Sequence, residues 1–452
     1  MDITRSALLT DLYELAMTEA FLEHSKTGTA VFEFFARKLP ANRGFLVAAG
    51  LEQTLDFLEN FRFTPENIAW LAQTGRFGAD LLDYLAKMRF TGDVHAMPEG
   101  TVFFADEPIL RVTAPLPEAQ LAEARLINIL HFQSLIASKA ARFVLLAPGK
   151  LLVDFGFRRS HGAEAGVMAA RASAIAGFAG TATVLAGELF GIPLYGTMAH
   201  SFIEAFEDEA AAFLAFAESR PKDLTFLIDT YDTEAAARKV VALAKRLEAK
   251  GISIGSVRLD SGDLIHLSKS VRRILDEGGL ASVKIFGSGG IDETDLVRFR
   301  ESGAPIDGFG IGTSLTASLD LPALDCAYKL QEYDGLPRRK RSFGKATWPG
   351  RKQVWRNYGP DGRMASDVIT LEGDPQPGQP LLQPVMKAGR RIGLAPGLAE
   401  IKARAARDLE RLPDPLRRLD SEASYPVTIS EALLRLTEET DRRLARLGAK
   451  VS

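Results

Sequence analysis

Two glycine clusters, Gly287-Ser288-Gly289-Gly290 and Gly308-Phe309-Gly310-Ile311-Gly312-Thr313, each close a short apolar run and precede helix-compatible sequence. Phosphate recognition needs backbone N–H donors brought close with no side chain in the way, ideally at a helix N-terminus. Barrel enzymes often use two consecutive late loops for it. Ser288, Gly289, Gly312 and Thr313 are therefore candidate phosphate contacts; the alternative is that the glycines serve only to make tight turns. No Gly-x-x-x-x-Gly-Lys-Ser/Thr pattern occurs in the chain, so a nucleotide would be held in another way.

Three carboxylates stand at the ends of two other apolar runs. Asp229, Asp260 and Asp263 could hold a Mg²⁺-bound polyphosphate or accept from ribose hydroxyls. Their structural alternative is helix capping, by Asp229 and Asp232 ahead of Thr233 and by Asp263 one unit later. Arg158 and Arg159 follow the run ending at Asp154-Phe155, and a planar guanidinium suits carboxylate or phosphate recognition and stacking on a ring. Phe155 is either a stacking partner for a ligand ring or a core aromatic. His200 is the candidate nucleophile or base. Ser201 with Glu204 has the spacing of a capping box, which assigns Glu204 to the helix start and leaves His200 in the preceding turn, aimed at the strand-end face. His161 is a second candidate; His24, His95, His131 and His266 read as structural or exposed.

What would gather these residues is a repeated βα unit. Apolar runs at 151–155, 192–195, 224–228, 252–259, 281–286 and 305–309 alternate with helical stretches at about the ~30-residue length of a βαβ unit. In parallel α/β folds, side chains at the C-terminal ends of the strands converge on one face. The fold class expected is α/β: an irregular parallel α/β barrel at 149–326, preceded by an N-terminal α/β domain at 1–148 and followed by a β-rich and helical segment at 327–452 that packs back on the N-terminal domain. The dipeptides Asp334-Gly335 and Asp361-Gly362 mark hairpin turns in that last segment, and Ser430 is the expected N-cap of the final helix.

Composition narrows the partners. A chain of 452 residues, 46% hydrophobic and 25% charged, with a formal net charge of −3, has no broad electrostatic footprint for nucleic acid or an anionic membrane. The basic run Arg338-Arg339-Lys340-Arg341 reads as a solvated face. The longest uncharged stretch, 172–187, is shorter than the ~20 residues of a membrane-spanning helix. It reads as closely packed helices. One cysteine, Cys326, excludes an internal disulfide framework and fits a cytoplasmic location.

Five motifs taken together, Thr10-Asp11-Leu12-Tyr13, Asp154-Phe155-Gly156-Phe157-Arg158-Arg159, Gly196-Thr197-Met198-Ala199-His200-Ser201, Arg258-Leu259-Asp260-Ser261-Gly262-Asp263 and the Gly308 cluster, resemble the nicotinate phosphoribosyltransferases, from about Thr10 to Trp355. The resemblance implies transfer of phosphoribosyl from phosphoribosyl pyrophosphate to nicotinate, with Mg²⁺ and with ATP as co-substrate, coupled through a phosphohistidine at His200. It also implies a homodimer with shared active sites, in which Tyr13 of one subunit and Phe155 of the other sandwich the pyridine ring. Thr197 and Arg258 would place nicotinate, and Arg158 would lie near the ring or the phosphates. Gly289, Gly312 and Thr313 would hold the ribose 5-phosphate, with Ser288 a further substrate contact and Asp229 and Asp260 facing the ribose or Mg²⁺-pyrophosphate. No metal ligand is assigned. The rival readings are a nicotinamide phosphoribosyltransferase and a non-catalytic sensor of phosphoribosyl metabolites.

Overall fold

The computed structural model describes residues 3–41, 43–342, 344–419 and 423–448. The chain divides into two compact units, one formed by residues 1–138 together with 323–452 and the other by residues 139–322.

The 139–322 unit is built on a six-stranded sheet in the order Gly180–Thr181, Leu151–Asp154, Gly308–Ile311, Lys284–Gly287, Ile254–Leu259 and Leu224–Leu227. Every neighbouring pair is parallel. The helices Thr233–Glu248, Leu264–Glu277 and Glu293–Glu301 make the crossovers between successive strands. Leu264, Ser268, Val271 and Leu275 recur at helical spacing and bury one face of the second of these. Register aligns the strand ends: Asp154 pairs with both Thr181 and Ile311, Gly287 with Phe309 and Leu259, and Leu227 with Arg258. The residues just beyond those positions therefore share one rim. The two edge strands do not pair with each other, so the sheet is a curled half-barrel, not a closed barrel.

One expected strand is absent as such. In place of a strand at 192–195 there is a single bridge between Leu194 and Thr181, and the edge strand is Gly180–Thr181, inside the stretch read from sequence as packed helices. Pro193 has no N–H with which to extend a ladder. Thr181 bonds to either side of Leu194, its N–H donating to the Pro193 carbonyl (3.0 Å) and its carbonyl accepting from Tyr195 N–H (3.0 Å). The approach requires glycine, since a Cβ at Gly180 would lie 2.4 Å from the Pro193 carbonyl oxygen.

The other unit carries a seven-stranded sheet in the order Leu336–Pro337, Cys326–Tyr333, Thr29–Ala36, Pro108–Pro115, Asp93–Ala96, Gln383–Lys387 and Arg390–Arg391. Strands from both ends of the sequence thus share one antiparallel sheet. A four-stranded sheet, ordered Gln379–Pro380, Lys352–Tyr358, Met364–Leu371 and Val427–Ile429, accounts for the β-rich texture of the C-terminal sequence. Both expected hairpin turns form, with positive φ at Asp334 (48°), Gly335 (71°) and Gly362 (77°). Ser430 Oγ accepts from Leu433 N–H at the start of the helix Glu431–Gly448. In the basic run Lys340 and Arg341 are exposed, whereas Arg338 and Arg339 are partly buried, with Arg339 paired to Asp441 at 3.0 Å. The helix Glu123–Leu146 is long and apolar enough to cross a bilayer, but 78% of its most apolar window is buried within the protein, as in a core helix.

Candidate active site

Arg258, on the strand Ile254–Leu259, organises the rim of the half-barrel. Its Nε donates to Ser288 Oγ (2.8 Å), its Nη1 to Thr197 Oγ1 (3.0 Å) and its Nη2 to Asp260 Oδ1 (2.6 Å). Three separate loops are thereby tied to one guanidinium, whose Cζ also stands 5.3 Å from the centroid of the Phe155 ring. Phe155 in turn packs against Phe286 at 5.8 Å. A cation held by a planar fork under an aromatic ring offers charge and a stacking face at the same place.

Asp260 is the second node. Its Oδ1 also accepts from Ser288 Oγ at 2.5 Å, and its Oδ2 lies 3.8 Å from His200 Nε2. Burial works against ionisation here, but the Ser288 hydroxyl and the Arg258 guanidinium outweigh it and hold the carboxyl below the ordinary range. Asp229 Oδ2 accepts from Asp260 N–H (3.0 Å) and Ser261 Oγ (2.5 Å), while Asp229 Oδ1 is buried with no hydrogen-bond partner among the described residues. An orphaned carboxylate oxygen beside a second, ionised carboxylate suits a hydroxyl or a cation brought in by a ligand.

The glycine loops flank this network. Gly289 adopts φ +96°, and a Cβ there would sit 1.8 Å from the Asp260 carbonyl oxygen, so only glycine permits the two loops to touch. The N–H groups of Gly289 and Gly290 have no hydrogen-bond partner among the described residues. Gly312 caps the one-turn helix Thr313–Thr316, leaving Thr313 half-buried; Ser314 Oγ donates to the Ile291 carbonyl (2.5 Å), fastening this loop to its neighbour. On the far side Asp154, buried, accepts from Gly156 N–H (2.8 Å) and Thr181 Oγ1 (2.7 Å) and so braces the Phe155 turn. Burial raises its pKa. That bracing role, and those of Thr181 and Ser261, have no signal in the sequence because short polar residues at strand ends carry no distinctive spacing.

The structure brings His200, Asp229, Asp260, Phe155, Thr197, Arg258, Ser288, Gly289, Gly312 and Thr313 onto one rim. Arg158 sits in the exposed one-turn helix Phe157–Arg159 and makes no ion pair among the described residues. Tyr13 belongs to the other unit, in the helix Leu12–Glu23, with 45% of its surface exposed. One sequence expectation needs correction, and one open alternative is decided. His200 is the first residue of the helix His200–Glu204, Ala199 is its N-cap, and no side chain caps it; Ser201 lies inside the helix and forms no capping box with Glu204. Of the capping alternatives, Asp229 is not a helix cap, because Asp232 fills that position through Ala235 N–H (2.7 Å), while Asp263 does cap the next helix.

Comparison with known proteins gives this geometry its context. Family models match over residues 8–131 (nicotinate phosphoribosyltransferase N-terminal domain), 151–334 (nicotinate phosphoribosyltransferase family) and 378–437 (the corresponding C-terminal domain). The chain belongs to the nicotinate phosphoribosyltransferase family. It is 48% identical over 430 residues to nicotinate phosphoribosyltransferase pncB2 of Mycobacterium tuberculosis, covering 95% of this chain and 92% of the relative. It is 41% identical over 360 residues to the nicotinate phosphoribosyltransferase of Bacillus subtilis, covering 77% and 73%. The human nicotinic acid phosphoribosyltransferase structure superposes with a TM-score of 0.85 at 30% identity, over 95% of this chain and 99% of that one. The family match at 151–334 spans every rim residue named above.

Proposed function

We propose that this enzyme transfers phosphoribosyl from phosphoribosyl pyrophosphate to nicotinate, releasing pyrophosphate and nicotinate mononucleotide for NAD biosynthesis, and couples the step to ATP hydrolysis through phosphorylation of His200. Membership of the family supports the transfer reaction. The observation that carries the site assignment is the Arg258 fork, which joins the His200 segment, the Asp260 loop and the Ser288 loop beneath the Phe155 ring.

Glycosyl transfer at the anomeric carbon develops positive charge on the sugar and negative charge on the departing pyrophosphate. Preorganised donors and charges aimed at those centres carry most of the stabilisation. The free N–H groups of Gly289 and Gly290, with Thr313, suit the 5-phosphate. Asp229 and Asp260 suit the ribose hydroxyls or the pyrophosphate's Mg²⁺, which would neutralise charge on the leaving group. Among the described residues no group of three or more His, Cys, Asp or Glu side chains could hold a metal ion; in this reading the Mg²⁺ arrives on phosphate oxygens. Phe155 would stack on the pyridine, and Arg258 favours the carboxylate of nicotinate over neutral nicotinamide.

In this reading the enzyme is a cytoplasmic homodimer, and Tyr13 of a second copy covers the other face of the ring. The exposure of Tyr13 beside exposed Leu9, Leu12 and Met17 supports an interface there. Purified protein given nicotinate, the donor and Mg²⁺, with and without ATP, is expected to form the mononucleotide, to respond to ATP, and to prefer nicotinate over nicotinamide. His200→Ala is expected to retain uncoupled transfer and lose the ATP response; an undiminished ATP response would refute the phosphohistidine assignment.

A further inference from the structure

We infer that Thr230 is a positioning residue for His200, holding the imidazole as the Nε2–H tautomer with its Nδ1 lone pair directed at the threonine hydroxyl. The geometry stands by itself; its catalytic consequence rests on the phosphohistidine reading. Thr230 Oγ1 lies 3.1 Å from His200 Nδ1, and Asp260 Oδ2 lies 3.8 Å from Nε2. The ring therefore has a hydroxyl on one nitrogen and a carboxylate facing the other. A negative charge favours the proton on the nearer nitrogen, which is Nε2, and Nδ1 is left to accept.

The two partners are fixed more firmly than the histidine itself. The loop carrying Thr230 is fastened on one side of it by Asp229, which binds Asp260 N–H and Ser261 Oγ, and on the other by Asp232, which caps Thr233–Glu248. Asp260 is held by Arg258 and Ser288. His200 opens a five-residue helix that no side chain caps, and 39% of its side chain is exposed. Its orientation thus has to come from contacts such as these. A hydroxyl suits the task, because it can donate to the neutral ring and turn to accept from a doubly protonated one. The β-branch of threonine limits how far the hydroxyl can wander. With the proton on Nε2 facing Asp260, the only lone pair is on Nδ1, and the Thr230 hydroxyl marks its direction until the phosphorus takes its place: the Nδ1–P bond forms as the P–O bond to ADP breaks, and the Nε2–H of the resulting cationic ring stays against Asp260.

The test is long-range proton–nitrogen NMR on the full chain labelled at the histidine nitrogens, paired with steady-state kinetics, for Thr230→Val, Thr230→Ala and Thr230→Ser. The wild type and Thr230→Ser are expected to show the Nε2–H pattern at His200, and Val and Ala a mixture of tautomers. ATP stimulation should fall roughly ten- to a hundredfold in Val and Ala, the scale for a misplaced reacting group, and recover in Ser to within about threefold, while the KM for nicotinate changes less than about twofold. Wild-type nitrogen shifts and wild-type ATP stimulation in folded Val or Ala would overturn the inference. If no phosphate reaches His200 in the wild type, yet its tautomer still depends on Thr230, the phosphohistidine reading fails and the positioning role stands.

Discussion

Two of the places where charged side chains converge in this chain lie under opposite conditions. In the unit formed by both ends of the sequence, Arg356 and Asp367 are fully buried and make a two-pronged pair, Nε to Oδ1 at 3.0 Å and Nη2 to Oδ2 at 2.6 Å. Asp408 lies 3.7 Å away, the Tyr425 hydroxyl donates to Asp367 Oδ1 at 2.9 Å, and Phe104 stacks on Tyr425. Burial, then the neighbouring Asp367 charge, pushes the Glu107 carboxyl well above its ordinary range. At the half-barrel rim the Arg258, Asp260 and His200 side chains keep 11%, 25% and 39% of their exposure. Similar chemical groups do different work. Sealed from water, an ion pair is costly to break and has no access to ligand; at the rim, the same hydrogen bonds orient groups that can still reach a substrate.

The largest effect should come from opening the sealed cluster. Arg356→Leu strands Asp367 and Asp408 without their cation and is expected to cost about 3–5 kcal/mol in urea unfolding; a loss under about 1 kcal/mol would erase the contrast. Gly289→Ala attacks the rim instead. The collision with the Asp260 carbonyl should lower kcat/KM for the phosphoribosyl donor roughly a hundredfold, with a smaller cost in stability of about 1–3 kcal/mol. Normal kinetics in that variant would show that the loop does not meet substrate. The smallest effect is expected at Glu14, a carboxyl that burial raises from 4.5 to about 7 despite hydrogen bonds from Thr10 Oγ1 and Ala124 N–H. Glu14 holds its proton more tightly folded than unfolded, so stability should fall as pH rises from about 4.5 to about 7. Glu14→Gln should therefore raise the unfolding midpoint at pH 8, by about 1–2 kcal/mol in stability, and leave it nearly unchanged at pH 4. An equal shift at both pH values would show that the carboxyl is not titrating abnormally.

The rim was more legible in sequence than the elements beneath it. Glycine clusters and strand-end carboxylates announce themselves because their spacing reflects the βα period, and the helix caps at Asp232, Asp263 and Ser430 follow from local chemistry alone. The strand Gly180–Thr181 was hidden, since two residues in an Ala/Gly-rich run have no alternation to read and the strand depends on Pro193 and Tyr195 approaching from elsewhere. The start of the helix at His200 was misplaced for a related reason: a Ser-x-x-Glu pattern favours a cap only where tertiary contacts leave the serine outside the helix. The shared sheet of N- and C-terminal strands, and the approach of Glu107, Asp408 and Tyr425 to the Arg356–Asp367 pair of one hairpin, arise from pairings between residues far apart in sequence, which no local pattern encodes.

The central claim is that the Arg258 network is the site of phosphoribosyl transfer to nicotinate. Its most direct test is the initial rate of nicotinate mononucleotide formation by Arg258→Met, measured beside its unfolding midpoint. The expected result is a loss in kcat/KM of roughly a hundredfold or more, with a stability loss of about 1–3 kcal/mol that leaves the protein folded. Turnover close to that of the wild type in a folded Arg258→Met protein would contradict the claim.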